Sequence, residues 1–431
     1  MNSLSWRSKR QKVYTFLLFS VSPFIGIWVV LRNLSQKNVI FFFVLILACF
    51  GLLYNYNTTA DGAVHYMRSL QYYSNMSLED FFQESLNILS QNPTLHSNDL
   101  YIHFLSFITN SVLGIPKALH LFAGIVLGYI IGKTLQLVGV LGLKENVNRS
   151  NYLIFLVLII VHSVYPLNAI RIGTGMWLLA YAIIAYSKTN KRKYLLYMFL
   201  ATQIHFAYMV IMLPALVAIF LRRLKYLVVA IFVSSFIFQV TDFNFRSLLP
   251  QTEVAGRKSS YILDDDGLRN REKRTIETRE NRNFYAAWGY TLYGKWGLTL
   301  LLFGYLPFYL LASNEKSTNY LFSSIYLFYS YANVFTIIPS LQGRIINVVL
   351  VLMLCTIVML KISDLKPRLH PNFIRLCITL NYTFVGLSFF MLLTRVSHII
   401  DTTYVYFLGF PLVSLLPDSG LSIKEFITFM L

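Results

Sequence analysis

The stretch IINVVLVLMLCTIVML, residues 345–360, contains no charged side chain, no proline and no glycine. It lies between Arg344 and Lys361. A helix rises about 1.5 Å per residue, so crossing a hydrocarbon layer of about 30 Å requires about 20 mostly apolar residues. The stretch and its flanks therefore predict a membrane-spanning helix. Similar apolar runs occur at 13–31, 117–137, 320–338 and 373–393.

The composition of the whole chain agrees with this interpretation. Of its 431 residues, 56% are hydrophobic and only 13% are charged, whereas about a quarter of a soluble domain is charged. A membrane β-barrel would alternate apolar and polar residues instead of continuing apolar runs. The sequence predicts an all-α polytopic integral membrane protein, a single membrane domain over residues 1–431 with about 12–13 hydrophobic helices. The predicted segments are 13–31, 39–54, 98–115, 117–137, 151–167, 168–187, 194–220, 225–241, 295–313, 319–338, 345–362, 373–394 and 399–416.

The net charge of +18 comes mostly from short loops between apolar runs, as the positive-inside bias predicts. The positive charges do not form a basic stripe on a soluble fold, so we do not expect nucleic acid as a partner. Cys49, Cys355 and Cys377 are widely spaced, and no clustered His or Cys pattern predicts a metal site. We expect no cofactor. No phosphate-binding glycine loop or nucleophile elbow appears, which disfavours ATP-driven transport and serine hydrolysis.

The most basic short loops, 188–193 and 222–225, are expected on the cytoplasmic side. The segment 194–220 between them is too long for one span and too short for two. We therefore predict that it turns back near 203–205, which puts His205 at the outer end of the turn, facing a cavity. The side on which residues 55–98 lie stays open, because it depends on whether 98–115 is a full span.

Three ionisable residues are functional candidates, because charge near membrane depth is costly. Arg171 begins the segment 168–187, with Gly173 and Gly175 allowing close approach of a helix or ligand. Arg344 begins a later span, and its guanidinium suits phosphate oxygens. His205 is suited to act as a proton acceptor or as a phosphate partner. The structural alternatives are interfacial arginines and a histidine bonded between helices.

A long hydrophilic segment, 242–294, is predicted to be an external, periplasmic loop. It is rich in arginine, including Arg279 and Arg282, and it ends in aromatic residues. Those rings, Tyr285, Trp288 and Tyr290, are candidates for stacking on sugars. A solvated segment with paired charges and an interfacial aromatic belt are the structural alternatives.

The stretch 168–220 resembles the EpsG-type exopolysaccharide polymerases, which are related in role to Wzy O-antigen polymerases. An Arg followed by small residues begins a helix at Arg171, a Lys-rich turn follows at 188–193, and a His element lies at 204–208. Asp61 belongs to a region that partly matches the family's Asp-x-x-x-Tyr element. Residues 98–105 occupy the place of a Glu-Pro-x-Tyr element but lack the Glu-Pro.

This resemblance implies a GT-C-like glycosyltransferase. It would join undecaprenyl-diphosphate-linked repeat units at the periplasmic face of the bacterial inner membrane, with a chain-length regulator as a possible partner. His205 and Asp61 are then the expected catalytic residues. Diphosphate would bind to Arg171 and Arg344, with capture by Arg279 and Arg282. A lipid-linked sugar flippase, an O-antigen ligase and a secondary transporter are the alternatives.

Overall fold

A computed structural model describes residues 2–33, 38–56, 61–90, 92–95, 99–139, 159–239, 295–312, 316–335, 339–359, 370–415 and 420–430. Within these ranges the regular structure is helical, apart from two isolated β-bridges. The all-α prediction is confirmed. The predicted external loop 242–294 lies outside the described residues.

The described residues form two compact units, with unit 1 comprising Met1–Ala185, Arg192–Met209 and Arg395–Leu431, and unit 2 comprising Tyr186–Lys191 and Val210–Thr394. The prediction of one domain over 1–431 stays a prediction. The helices, in chain order, are α1 Asn2–Val21, α2 Pro23–Asn33, α3 Val39–Leu52, α4 Asp61–Tyr73, α5 Leu78–Leu89, α6 Leu100–Phe107, α7 Leu119–Val138, α8 Ile170–Thr189, α9 Lys193–Ile204, α10 Tyr208–Ile211, α11 Leu213–Leu221, α12 Lys225–Ser234, α13 Leu298–Pro307, α14 Lys316–Val334, α15 Pro339–Met359, α16 Pro371–Thr402 and α17 Ile423–Met430.

Four stretches of described helix are long and apolar enough to cross a membrane, namely Pro116–Val138, Ile159–Thr189, Leu341–Met359 and Pro371–Thr402. Four shorter apolar helical stretches accompany them, at Val39–Leu52, Leu100–Val112, Tyr208–Leu221 and Lys225–Phe238. Length and composition thus support a membrane protein. The total of 12–13 hydrophobic helices stays a prediction.

The segment 13–31 differs from its prediction as one continuous span. The helix is interrupted at Ser22, between α1 and α2. Pro23 follows directly, and proline disfavours helical geometry in the residue before it. The Ser22 hydroxyl donates to the carbonyl of Leu408 at 2.7 Å, so the interruption is tied to the C-terminal part of unit 1.

Helices α3 and α7 of unit 1 pack closely against each other, and they run antiparallel. A Cβ added at Gly51 would lie 2.0 Å from the carbonyl oxygen of His120, and one at Gly124 would lie 2.1 Å from that of Leu47. Gly128, one turn further along α7, meets the backbone of α3 in the same way. Small residues at four-residue spacing let helix backbones approach closely, as in membrane helix pairs.

In unit 2, helix α14 carries a buried core of aromatic rings. The side chains of Tyr320, Phe322 and Tyr326 are fully buried. The hydroxyl groups of the two tyrosines have carbonyl partners, since Tyr326 donates to Leu302 at 2.8 Å and Tyr320 to Ala215 at 3.2 Å. These bonds satisfy the polar tips that burial would otherwise leave without a partner.

The segment 194–220 turns back as predicted. Helix α9 ends at Ile204, and His205 follows in an extended conformation with φ −155° and ψ 122°. The two basic loops meet, because Arg222 donates from Nη1 to Oδ1 of Asn190 at 3.2 Å. The loops that flank the segment therefore lie next to each other, as the hairpin interpretation requires.

The glycine contacts lead to a matched test of the α3–α7 packing. We expect Gly124→Ala to lower the free energy of unfolding by about 1–3 kcal/mol, because the new methyl group would overlap the α3 backbone. Gly386→Ala in α16 is the control, since nothing lies within 4 Å of its added Cβ. Alanine there should be neutral or stabilise by up to about 1 kcal/mol. Thermal unfolding in detergent measures both, and equal midpoints would contradict the packing.

Candidate functional site

The site is built around a carboxylate that precedes α6. Asp99 is the residue just before this helix, and its side chain makes no capping hydrogen bond to the helix N–H groups. Its side chain is only 1% exposed. The carboxylate instead accepts a hydrogen bond from Nη1 of Arg171 at 2.5 Å. A buried carboxylate requires such a partner, because removing an unpaired charge from water costs roughly several kcal/mol per ion.

The break after α9 supplies the other partners of this carboxylate. Nδ1 of His205 lies 3.0 Å from Oδ2 and 3.2 Å from Oδ1 of Asp99. The backbone N–H of Phe206 donates to Oδ1 at 2.8 Å. Since Nδ1 donates to the carboxylate, Nε2 is the basic nitrogen of the neutral ring.

These contacts stabilise the ionised form of Asp99. The guanidinium of Arg171 and the N–H donors of His205 and Phe206 all favour the carboxylate over the neutral acid.

Arg171 is positioned by a sharp bend at the start of α8. A 3-10 turn, Tyr165–Ala169, leads into the helix. A Cβ on Gly173 would lie 2.1 Å from Cβ of Pro166, whereas seven residues of straight helix would separate them by about 10 Å. The bend therefore depends on glycine at 173, and it places the second residue of α8 beside Asp99.

A tyrosine after the break joins the His205 segment to α8. The Tyr208 hydroxyl donates to the carbonyl of Ile172 at 2.6 Å. A Cβ on Gly175 would lie 2.4 Å from the Tyr208 ring. Gly173 and Gly175 thus allow close approach of neighbouring chain, as the sequence predicted, and in the structure they hold the two halves of the site together.

Asp61, the first residue of α4, lies near the same cluster. Its Oδ2 is 3.4 Å from Nε2 of His65, one turn along the helix. His65 beside it lowers the pKa of Asp61, partly opposed by burial, and the charge of Arg171 lowers it further. His65 and Arg171 line one cleft, so Asp61 lies next to a residue that shares this cleft with Arg171.

A cleft of about 370 Å³, its open mouth included, adjoins the cluster. Arg171 lines it together with residues of α4 and α6. The complete set of lining residues is His65, Arg68, Ser69, Tyr72, Tyr73, Leu95, Ile102, Ser106 and Arg171. His205 is not among these lining residues, so the prediction that it faces a cavity stays a prediction.

The structure brings two of the predicted site residues, Arg171 and His205, together on Asp99, and Asp61 contacts His65, which lines the same cleft as Arg171. Arg344 lies in the first turns of α15 in unit 2, half-buried and just inside the candidate span Leu341–Met359. Its role stays a prediction. The remaining predicted residues lie outside the described part of the chain, namely Arg279, Arg282, Tyr285, Trp288 and Tyr290.

Sequence reasoning missed Asp99, the residue that holds the cluster together. Its neighbourhood, 98–105, had been matched only to an absent Glu-Pro element. One signal pointed to it, since an arginine in an apolar context requires a counter-ion. An aspartate immediately before an apolar helix looks like an ordinary N-cap, which concealed this role.

Comparison with known proteins adds no assignment, since no family model, curated protein or solved structure matches the chain.

The buried pair yields a stability prediction. We expect Asp99→Ala to lower the free energy of unfolding by about 3–5 kcal/mol, because it leaves Arg171 buried without its carboxylate. Adding Arg171→Met, which removes the stranded charge, should restore part of the loss. Thermal unfolding of the purified proteins in detergent measures the coupling.

An exposed ion pair gives the control. Lys424 and Asp401 lie 3.3 Å apart with side chains 62% and 45% exposed. Asp401→Ala should change stability by less than about 1 kcal/mol. Equal losses in the Asp99 and Asp401 variants, or additive losses in the double variant, would refute the central role of Asp99.

Proposed function

We propose that the protein is a multi-pass, GT-C-like glycosyltransferase of the bacterial inner membrane. It joins undecaprenyl-diphosphate-linked oligosaccharide repeat units into O-antigen, capsular or exopolysaccharide at the periplasmic face. The observation that carries the proposal is the arrangement in which Asp99 orients His205 beside the guanidinium of Arg171. A base, its orienting carboxylate and a cation are the groups that transfer from a lipid diphosphate requires.

In the proposed reaction, the acceptor sugar hydroxyl attacks the anomeric carbon of the donor. The bond from that carbon to the diphosphate oxygen breaks, and the diphosphate leaves with the bonding electrons. The hydroxyl proton moves to Nε2 of His205. Asp99, bonded to Nδ1, stabilises the imidazolium that forms, as a carboxylate does for a catalytic histidine elsewhere.

Arg171 is proposed to stabilise the departing diphosphate. A guanidinium offers five N–H donors, and Asp99 engages Nη1, so further donors can face a ligand. Arginine supplies charge stabilisation without a metal ion, and the enzyme is proposed to be metal-independent. Arg344, Arg279 and Arg282 are proposed as further phosphate ligands, and Asp61 as an additional acid or base.

The proposed function has a direct genetic test. We expect Arg171→Lys to abolish long-chain polysaccharide and leave single-repeat glycan in place. Lysine keeps the charge beside Asp99 but loses the planar fork, so the protein should still fold. His205→Asn and Arg344→Ala should have the same effect. Gel profiling of surface glycan from a deletion strain carrying each variant is the measurement.

Arg192→Ala is the matched control, since Arg192 is an exposed residue at the start of α9. Its glycan should keep a normal ladder, with membrane levels of every variant verified. A normal ladder from well-expressed Arg171→Lys and His205→Asn proteins would refute the polymerase. Lipid-linked units held on the cytoplasmic leaflet would indicate a flippase, and polymer not attached to its lipid acceptor would indicate a ligase.

A further inference from the structure

One face of α4 presents a series of polar side chains to the cleft. His65, Arg68, Ser69 and Tyr72 all line it. Their spacing of three, four and seven residues places them on the same side of a helix. The face is thus continuous, and it directs an imidazole, a guanidinium and two hydroxyl-bearing side chains toward one space.

A second helix adds another guanidinium to the cleft. Arg171 lines it from α8, and Ile102 and Ser106 line it from α6. Among the lining residues that the structure describes, none is acidic. The lining therefore combines two permanent cations with neutral donors, which suits an anionic ligand.

Burial grades these basic side chains from the floor of the cleft to its mouth. The His65 and Arg171 side chains are 7% and 19% exposed, whereas Arg68 is an exposed residue. Guanidinium groups from two helices match a tetrahedral, multiply charged group with several acceptor oxygens better than a single carboxylate.

The wall formed by Leu95 is held in place by a buried carboxylate. Glu84, only 3% exposed, accepts from the backbone N–H of Leu95 at 2.8 Å and of Thr94 at 3.3 Å. The Thr94 hydroxyl donates to the same carboxylate. The loop is therefore pre-organised, and a ligand would not have to order it on binding.

We propose that this cleft binds a phosphate or diphosphate group, with Arg171 and His65 at its floor and Arg68 at its mouth. The inference rests on the proposed function and deepens it, because it assigns the position of the donor's diphosphate. It also assigns Arg68 as the second arginine beside Arg171. The phosphate can come from a lipid headgroup or from a free phosphate compound.

Isothermal titration of the purified full-length protein in detergent micelles tests the site with two probes, farnesyl diphosphate and inorganic pyrophosphate. We expect Arg68→Gln to weaken binding at least about tenfold, because a charge-assisted hydrogen bond is lost. Arg68→Lys should retain part of the affinity, since it keeps the charge. Arg68 is exposed, so an unchanged thermal midpoint is expected to accompany the loss.

Arg192→Gln is the charge-matched control. It lies beyond the C-terminal end of α8, about 30 Å from Arg171 by the rise of a 20-residue helix. The affinity of this variant for both probes should stay within about twofold of that of the unaltered protein. Tighter binding of farnesyl diphosphate than of pyrophosphate supports a lipid source, and equal binding supports recognition of the phosphates alone. Absence of binding to both probes, or equal weakening by Arg68→Gln and Arg192→Gln, overturns the site.

The same variants separate this inference from the proposed function. Loss of probe binding in Arg68→Gln with normal glycan ladders from Arg171→Lys and His205→Asn supports the phosphate site and contradicts the polymerase. Unchanged probe binding in Arg68→Gln with loss of the ladder in Arg171→Lys overturns the site and leaves the polymerase standing.

Discussion

The carboxylate of Asp99 is the interaction on which the site depends. It is almost fully buried, and it receives a guanidinium, an imidazole and a backbone N–H. A charge in that position is tolerated only because all three donors reach it, and each donor is in turn held by the same carboxylate. The interaction therefore connects the start of α6, the start of α8 and the break after α9.

Each of these three places is an irregularity of a helix. Asp99 precedes α6, Arg171 follows a 3-10 bend, and His205 lies where α9 stops. Regular helix satisfies its own backbone groups, so polar chemistry inside an apolar protein concentrates where helices begin, bend or end. Gly173 and Gly175 make these irregularities possible, because a side chain at either position would strike Pro166 or Tyr208.

The arrangement combines a fixed cluster with a more accessible cleft. Asp99 and the Tyr208 anchor position His205 and Arg171, while the α4 face brings His65 and Arg68 to the space beside them. Positioned donors that need no reorganisation stabilise developing charge most effectively. Arg171 belongs to both parts, because it pairs with Asp99 and also lines the cleft.

The sequence by itself determined the helical class, since uninterrupted apolar runs admit few other structures. It also determined the break at His205, because two basic loops enclosed a segment that is too long for one span and too short for two. The sequence further singled out Arg171 and His205, because ionisable residues are costly in an apolar context. Only the tertiary structure decided that Asp99 is their partner, across 72 and 106 positions of sequence. It alone also put Arg68 and Arg171 around one cleft. Hydrophobic run length and turns are local properties of the chain, whereas the pairing of buried charges depends on how distant helices pack.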